Sequence, residues 1–286
     1  MLVNHPKSKF LLASNYIKKQ IKIALNEDLG RHGDITSKAI IPPKNQSTAV
    51  IKLKENAILC GIDFAINTFK KLDKKIKILG KKKDGSSLKK GTIVLKISGN
   101  TQSILAAERT ALNFLGLMSG IATKANQFVR IAKPYGVKIY STRKTIVGIR
   151  ELEKYALTQG GANINRRTLD DFFFIKDNHL VDTKSINEII FKAKKYNAKK
   201  KISVEVDTVK QLKQVLHEKI NIVLLDNMTA AQIKKCMKLV NKKFQCEASG
   251  NITLKNLKQI AQTKVDRIST GQLTHSFQNI DYSLEI

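Results

Sequence analysis

The second half of the chain is an alternation. Short apolar, β-branched runs at Val137–Tyr140, Phe172–Ile175, Ile202–Val206, Ile222–Leu225, Phe244–Ala248 and Val265–Ile268 are mostly separated by segments of helical periodicity. Those segments are Ile186–Tyr196, Val209–Leu216, Ala230–Val240 and Leu254–Gln262. Short continuous apolar runs suit strands buried on both faces, and strands alternating with helices imply βα units around a parallel sheet.

The first half reads differently. A helix is expected near Ile17–Glu27, followed by a turn-rich loop, Asp28 to Asp34, and half-buried antiparallel strands at Ala49–Leu53 and Thr92–Ile97. Asp84-Gly85, Gly61 and Gly91 mark turns. Ile104 to Met118 is apolar on nearly every face and predicts a buried helix interrupted by Glu108 and Arg109. Unpaired buried charge is costly, so these two either satisfy one another or meet a charged ligand.

Each strand of the second half ends in polar residues: Thr142-Arg143-Lys144, Lys176-Asp177, Glu205-Val206-Asp207, Asp226-Asn227, Ser249-Gly250-Asn251 and Ser269-Thr270-Gly271. In a parallel α/β barrel these ends converge on one rim, where active sites sit. Arg143, Lys144, Arg166 and Lys176 suit carboxylates or phosphates, arginine by a two-point clasp and lysine as a point charge. Glu205 and Asp226 are hard oxygen donors, suited to magnesium or to ribose hydroxyls. The Ser249 and Ser269 turns expose backbone amides that suit a phosphate, the first as the lead-in to a helix. The set points to a ligand with phosphate, sugar and carboxylate groups. There is no Walker A sequence and no Gly-rich dinucleotide fingerprint.

Composition narrows the classes further. Lys and Arg number 52 against 23 Asp and Glu, a net charge of +29. The lysines are spread along the whole chain, Trp is absent and no nucleic-acid motif occurs, so the excess reads as compositional bias. Cys60, Cys236 and Cys246 have neither C-x-x-C spacing nor a neighbouring histidine, which argues for reduced thiols over zinc or disulfides. Met1 to Gln20 lacks the apolar core of a signal peptide, so the expected location is the cytoplasm.

The motifs carry a family resemblance. Glu27-Asp-Leu-Gly30, Gly33-Asp-Ile-Thr36, Glu108-Arg-Thr-Ala-Leu-Asn-Phe-Leu115, Ser119-Gly-Ile-Ala-Thr123 and Thr142-Arg-Lys-Thr145 resemble the quinolinate phosphoribosyltransferase family. So do Gly148-Ile-Arg150, Glu153-Lys-Tyr-Ala156, Ile175-Lys-Asp-Asn-His179, Leu225-Asp-Asn227 and Ser269-Thr-Gly-Gln-Leu-Thr-His-Ser276. They occur in the family order along nearly the whole chain.

The resemblance implies an N-terminal α/β sandwich, residues 1–116 joined by the tail 276–286, and an open seven-stranded α/β barrel at 117–275. It implies transfer of phosphoribosyl from phosphoribosyl pyrophosphate to quinolinate with loss of carbon dioxide. Lys144, Lys176, Glu205 and Asp226 would be catalytic. Arg143, Lys144, Arg166 and Lys176 would grip carboxylates and nearby phosphate, with Thr142 beside them. Glu205 and Asp226 would lie near the ribose and Mg2+, directly or through water. Ser249, Gly250, Asn251, Ser269, Thr270 and Gly271 would hold the 5′-phosphate. His275 is either a phosphate-pocket residue or a structural one, and His179 would organise its loop. A homodimer is implied in which Arg109 enters the neighbour's site.

Departures from the family pattern are Ile164-Asn165 where Asn-His is usual before Arg166, Ser141 for Asp, Val147 for Pro and Ser203 for Glu. Two alternatives stay open: a related enzyme acting on another pyridine acid such as nicotinate, or a weakened enzyme with a basic binding role.

Overall fold

The computed structural model describes residues 11–180 and 185–286, Leu180 by its backbone alone. The reading of Met1–Gln20 falls partly on residues 1–10, outside the described part. The described residues of Met1–Lys124, with Ile149–Gly161 and Phe277–Ile286, pack as one unit. Ala125–Gly148 and Ala162–Ser276 form a second.

The first unit holds α1 (Ser14–Leu29), α2 (Ile35–Ile40), β1 (Gln46–Leu53), β2 (Ala57–Ile58), α3 (Ile62–Leu72), β3 (Lys77–Lys81), β4 (Ser87–Leu88) and β5 (Ile93–Asn100). The long α4 (Thr101–Ala132) follows and runs on beyond its last residue, Lys124. Its main sheet is antiparallel, with β1 and β5 at the centre and β3 outside β5. Along β1 the even alternation buries Ala49, Ile51 and Leu53 on one face. That face meets Phe69 and Ala65 of α3 and Ile104, Ala111 and Leu115 of α4 in one apolar cluster.

The predicted buried helix at 104–118 is thus the middle of α4. Its two charges do not pair: Glu108 and Arg109 share no ion pair among the described residues, and Arg109 is exposed. Successive helical residues do not face one another, which rules out the internal-pair reading on geometry.

A helix the sequence reading passed over, α5 (Arg150–Gln159), packs in this unit. The Tyr155 hydroxyl donates to Asp84 Oδ2 at 2.9 Å. The same carboxylate accepts from the amides of Gly61 and Ile62 at 3.0 and 3.1 Å, capping α3 from a distant loop. Burial pushes the Asp84 carboxyl up, and these donors work against the shift.

The tail returns to this unit as β12 (Tyr282–Glu285), antiparallel to β1. Its approach depends on small residues of α4. A Cβ on Gly120 would stand 2.2 Å from the Gln278 carbonyl oxygen. Gly120→Ala therefore lowers stability by about 2 kcal/mol, roughly 5 °C in Tm, although alanine favours the helix. Thermal melting checks this; an unchanged Tm would mean that the tail yields without cost.

The second unit is a parallel sheet with strand order β6 (Lys138–Tyr140), β11 (Arg267–Ser269), β10 (Gln245–Ser249), β9 (Ile222–Asp226), β8 (Ile202–Val206), β7 (Phe173–Ile175). All six are strands predicted from the apolar runs, shifted by at most a residue or two. A seventh position follows β6 as a single parallel bridge between Tyr140 and Asn163. Among the described residues no ladder joins Asn163 to Phe173. The α/β class, with an antiparallel N-terminal sheet and a parallel-stranded second unit, is as the sequence predicts.

The crossovers include α6 (Ile186–Tyr196), α7 (Val209–Val215) and α8 (Ala230–Val240); Ser185, Thr208 and Thr229 cap their N-termini. The predicted helix at 254–262 is shorter, α9 (Leu257–Ala261), and α10 (Gln272–His275) is a single turn. The Ser249 turn precedes a helix as the sequence predicts, but that helix begins three residues later than expected, at Leu257. Cys60, Cys236 and Cys246 are buried free thiols. No helix among the described residues is long and apolar enough to cross a membrane.

Candidate active site

Every residue predicted for the site except Arg109 lines one cavity of about 640 Å³ in the second unit. The period of two along a strand does this. Phe172, Phe174 and Lys176 face the cavity while Ile175 is buried on the other side. On β8 the cavity side carries Glu205, on β9 Leu224 and Asp226, on β10 Glu247 and Ser249, and on β11 Ser269.

Two of the cations, Arg166 and Lys176, gather over Phe172 and Phe174. The Arg166 guanidinium lies 5.4 Å from the Phe172 ring centre and 5.9 Å from that of Phe174. Lys176 Nζ is 4.8 Å from the Phe174 ring centre, so these rings form an apolar bed beneath two positive charges. Burial and the neighbouring Arg143 both work against the Arg166 charge and draw its pKa down. Arg143 Nε is buried with no hydrogen-bond partner among the described residues. Cations crowded this way, with donor capacity to spare, favour an anionic ligand.

The carboxylates stand next to Lys176. Glu205 Oε2 pairs with Lys176 Nζ at 3.0 Å. Burial raises the Glu205 pKa while Lys176 works against the rise. Burial likewise raises Asp226, with Asp207 adding to it and Lys176 and Lys144 opposing. Asn227 Nδ2 donates to Asp226 Oδ2 at 2.7 Å, and Asn251 Nδ2 donates to Asn227 Oδ1 at 3.0 Å. Among the described residues no group of three or more His, Cys, Asp or Glu is placed to hold a metal by itself.

Gly250 and Asn251 are consecutive left-handed residues, at φ 81° and 49°, and Asn227 beside them is left-handed as well. Successive amides in a turn of this kind form a concavity suited to an anion. The Ser269 turn is pinned by Thr270 Oγ1 donating to the Ile252 carbonyl at 2.8 Å. His275 packs its ring against Gly271 and bonds Ser276 Oγ through Nδ1 at 2.8 Å. His179 accepts the Lys176 amide on Nδ1 at 3.0 Å, so it organises its own loop.

Among the lining residues, sequence reasoning misses Phe172, Phe174 and Glu247, and names Asn227 only as a strand end. The two phenylalanines had a signal, since they precede Lys176 at intervals of two. Asn165, one of the departures, lines the cavity; Ser203 is buried with its hydroxyl unpartnered among the described residues; Val147 is exposed.

A basic cavity at the carboxyl ends of parallel strands, with two carboxylates and left-handed turns, defines an α/β protein whose site suits an anionic ligand. The sequence comparisons are more specific. The pattern of the quinolinate phosphoribosyl transferase N-terminal domain matches residues 34–119 and that of the C-terminal domain matches 121–285. A probable nicotinate-nucleotide pyrophosphorylase [carboxylating] of Methanocaldococcus jannaschii is 38% identical, the match covering 96% of this chain and 99% of the relative. A chloroplastic nicotinate-nucleotide pyrophosphorylase [carboxylating] of Arabidopsis thaliana is 36% identical, over 94% and 82%. Among solved structures, the nicotinate-nucleotide pyrophosphorylase of Francisella tularensis superposes with a TM-score of 0.92 at 36% identity, over 96% of this chain and 97% of that one. The chain belongs to the quinolinate phosphoribosyltransferase family.

Proposed function

We propose that the chain transfers phosphoribosyl from phosphoribosyl pyrophosphate to quinolinate, releasing pyrophosphate and carbon dioxide and forming nicotinate mononucleotide. The observation that carries this reading is that Arg143, Arg166 and Lys176 line one cavity together with Glu205 and Asp226. The cations hold the two ring carboxylates, and the two acidic side chains accept from the ribose hydroxyls.

Arg143, Arg166 and Lys176 hold the pyridine with its nitrogen toward the anomeric carbon, beside Thr142 and Lys144. The Ser249–Asn251 and Ser269–Gly271 turns, with His275, hold the 5′-phosphate. Glu205 and Asp226 place negative charge beside the ribosyl centre, which becomes cationic as the bond to pyrophosphate breaks. The ring nitrogen takes that bond. The carboxyl group next to the quaternised nitrogen then leaves as carbon dioxide, its electron pair stabilised by the positive nitrogen, and the ring carbon takes a proton. Positioning and fixed charge supply the catalysis, without a covalent nucleophile.

Two carboxylates on adjacent paired strands suit Mg2+, which is commonly held by one or two carboxylates with the remainder from substrate phosphates and water. Glu205 and Asp226 would hold it, and when bound it neutralises the leaving pyrophosphate. The working form is a homodimer in which the partner subunit's Arg109 reaches the substrate carboxylates, and it acts in the cytoplasm.

The test is a steady-state assay with quinolinate, nicotinate and phosphoribosyl pyrophosphate, following carbon dioxide release. Release that depends on quinolinate and the pyrophosphate is expected. Turnover of nicotinate alone would sink the proposal.

A further inference from the structure

At the cavity's edge lies a charged pair that the proposed mechanism does not use; Glu247 lines the cavity and Arg267 stands behind it. Glu247 of β10 and Arg267 of β11 are register partners on adjacent parallel strands, so their side chains share a face. Both are almost fully buried, at 1% and 6% exposure. Arg267 Nε stands 2.8 Å from Glu247 Oε2, and its guanidinium lies 3.8 Å from the Tyr140 ring centre. Burial pushes the Glu247 carboxyl up, and Arg267 is the main influence opposing that.

Glu247 itself borders the cavity, and Arg267 reaches it through Asn165. Arg267 Nη2 donates to Asn165 Oδ1 at 2.6 Å, and Asn165 Nδ2 faces Glu247 Oε1 at a long 3.4 Å. A guanidinium only donates and an ionised carboxylate only accepts, so the amide has one permitted orientation. Its oxygen is committed to the arginine. Its nitrogen is left with a hydrogen for whatever occupies the cavity, which Asn165 lines together with Arg143, Arg166 and Lys176.

We propose that Arg267 is a positioning residue that acts through Asn165, locking its amide so that the cavity is offered a donor and never an acceptor, and thereby favouring a ligand carboxylate at that position. Without Arg267 only the long 3.4 Å contact to Glu247 holds the amide, which turns more readily, and the oxygen it then presents repels a carboxylate. The asparagine at 165 thus serves anion selectivity without carrying charge, because the charge stands one residue behind it. The inference rests on the reading of the cavity as the quinolinate site.

The experiment compares Arg267→Met, Arg267→Lys, Asn165→Ala and the double variant Arg267→Met/Asn165→Ala, with quinolinate and phosphoribosyl pyrophosphate each varied. Arg267→Met is expected to raise the KM for quinolinate about tenfold, the effect of losing one well-directed hydrogen bond, with the KM for the pyrophosphate changed less than about twofold. Arg267→Lys restores part of the loss. In the Asn165→Ala background Arg267→Met has no further effect on the quinolinate KM, because the residue through which it acts is gone.

Removing one partner of a buried pair strands the other charge, so Arg267→Met is paired with Arg267→Met/Glu247→Gln, in which neither charge remains. Where only the latter folds, the same tenfold rise is expected of it. An unchanged quinolinate KM in a folded Arg267 variant, or effects that add in the double variant, would overturn the proposal. Absence of quinolinate turnover by the unaltered protein would remove the functional reading, and this inference with it; turnover with an unchanged KM in the variants removes the inference alone.

Discussion

Replacing Lys176 with methionine lowers kcat/KM for quinolinate about a hundredfold. The lysine sits over the Phe174 ring, pairs with Glu205 at 3.0 Å and belongs to the cation group that faces the cavity. Charge-assisted contacts carry roughly 1.5–3 kcal/mol each, and a hundredfold loss corresponds to about 2.7 kcal/mol. Methionine keeps the volume over the ring and removes the charge, so the loss reports electrostatics and not packing.

The substitution also moves the pH profile. Burial already raises the Glu205 pKa, and Lys176 works against that rise. Without the lysine the folded-state pKa climbs further, so the ionised carboxylate is lost at a higher pH as the solution is acidified. The acid limb of kcat/KM therefore shifts upward in Lys176→Met and stays near its original place in Lys176→Arg. A variant that kept full activity with an unmoved limb would remove Lys176 from the site.

Gly250→Ala raises the KM for phosphoribosyl pyrophosphate at least about tenfold. Two costs combine. At φ 81° a residue with a Cβ is strained by roughly 1–2 kcal/mol. That Cβ would also stand 2.2 Å from Asn227 Oδ1 and 2.6 Å from the Asn227 backbone nitrogen, so the turn or the asparagine must move. Either movement breaks the chain of hydrogen bonds from Asn251 through Asn227 to Asp226. The phosphate turn and the ribose-side carboxylate are thus disturbed by one methyl group.

Gly91→Ala separates the two costs. Gly91 has φ 84° but nothing within 4 Å of its would-be Cβ, so it reports strain alone. Gly91→Ala should lower the Tm slightly and leave both KM values intact. Equal KM effects from the two alanines, measured by initial rates, would show that steric overlap at Gly250 is not the cause.

The second unit was the more legible part. Ile202–Val206 and Ile222–Asp226 announce themselves because a strand covered on both faces must be apolar throughout, and the polar residue that ends each run falls at the cavity. The helices at 186–196 and 230–240 follow from their apolar spacing. What stayed hidden depends on partners distant in sequence. The segment 150–159 has modest apolar content, and its place is fixed by Tyr155 reaching Asp84. The Glu247–Arg267 pair is invisible until the β10–β11 register is known, since nothing in either strand names the other. The start of the helix after the Ser249 turn was not legible, since it begins at Leu257 and the backbone before it is shaped by left-handed asparagines.

The seating of β12 beside β1 has a consequence for the order in which the chain folds. Lys52 and Glu285, which meet across that pairing, lie 233 positions apart. At a synthesis rate of about 5–20 residues per second, β1 waits more than roughly ten seconds for its neighbour to be made. In that interval one side of β1 offers unpaired backbone to any other extended chain, including a second nascent copy. The parallel unit, made of segments between, can form meanwhile, so the sheet begun before it is closed after it.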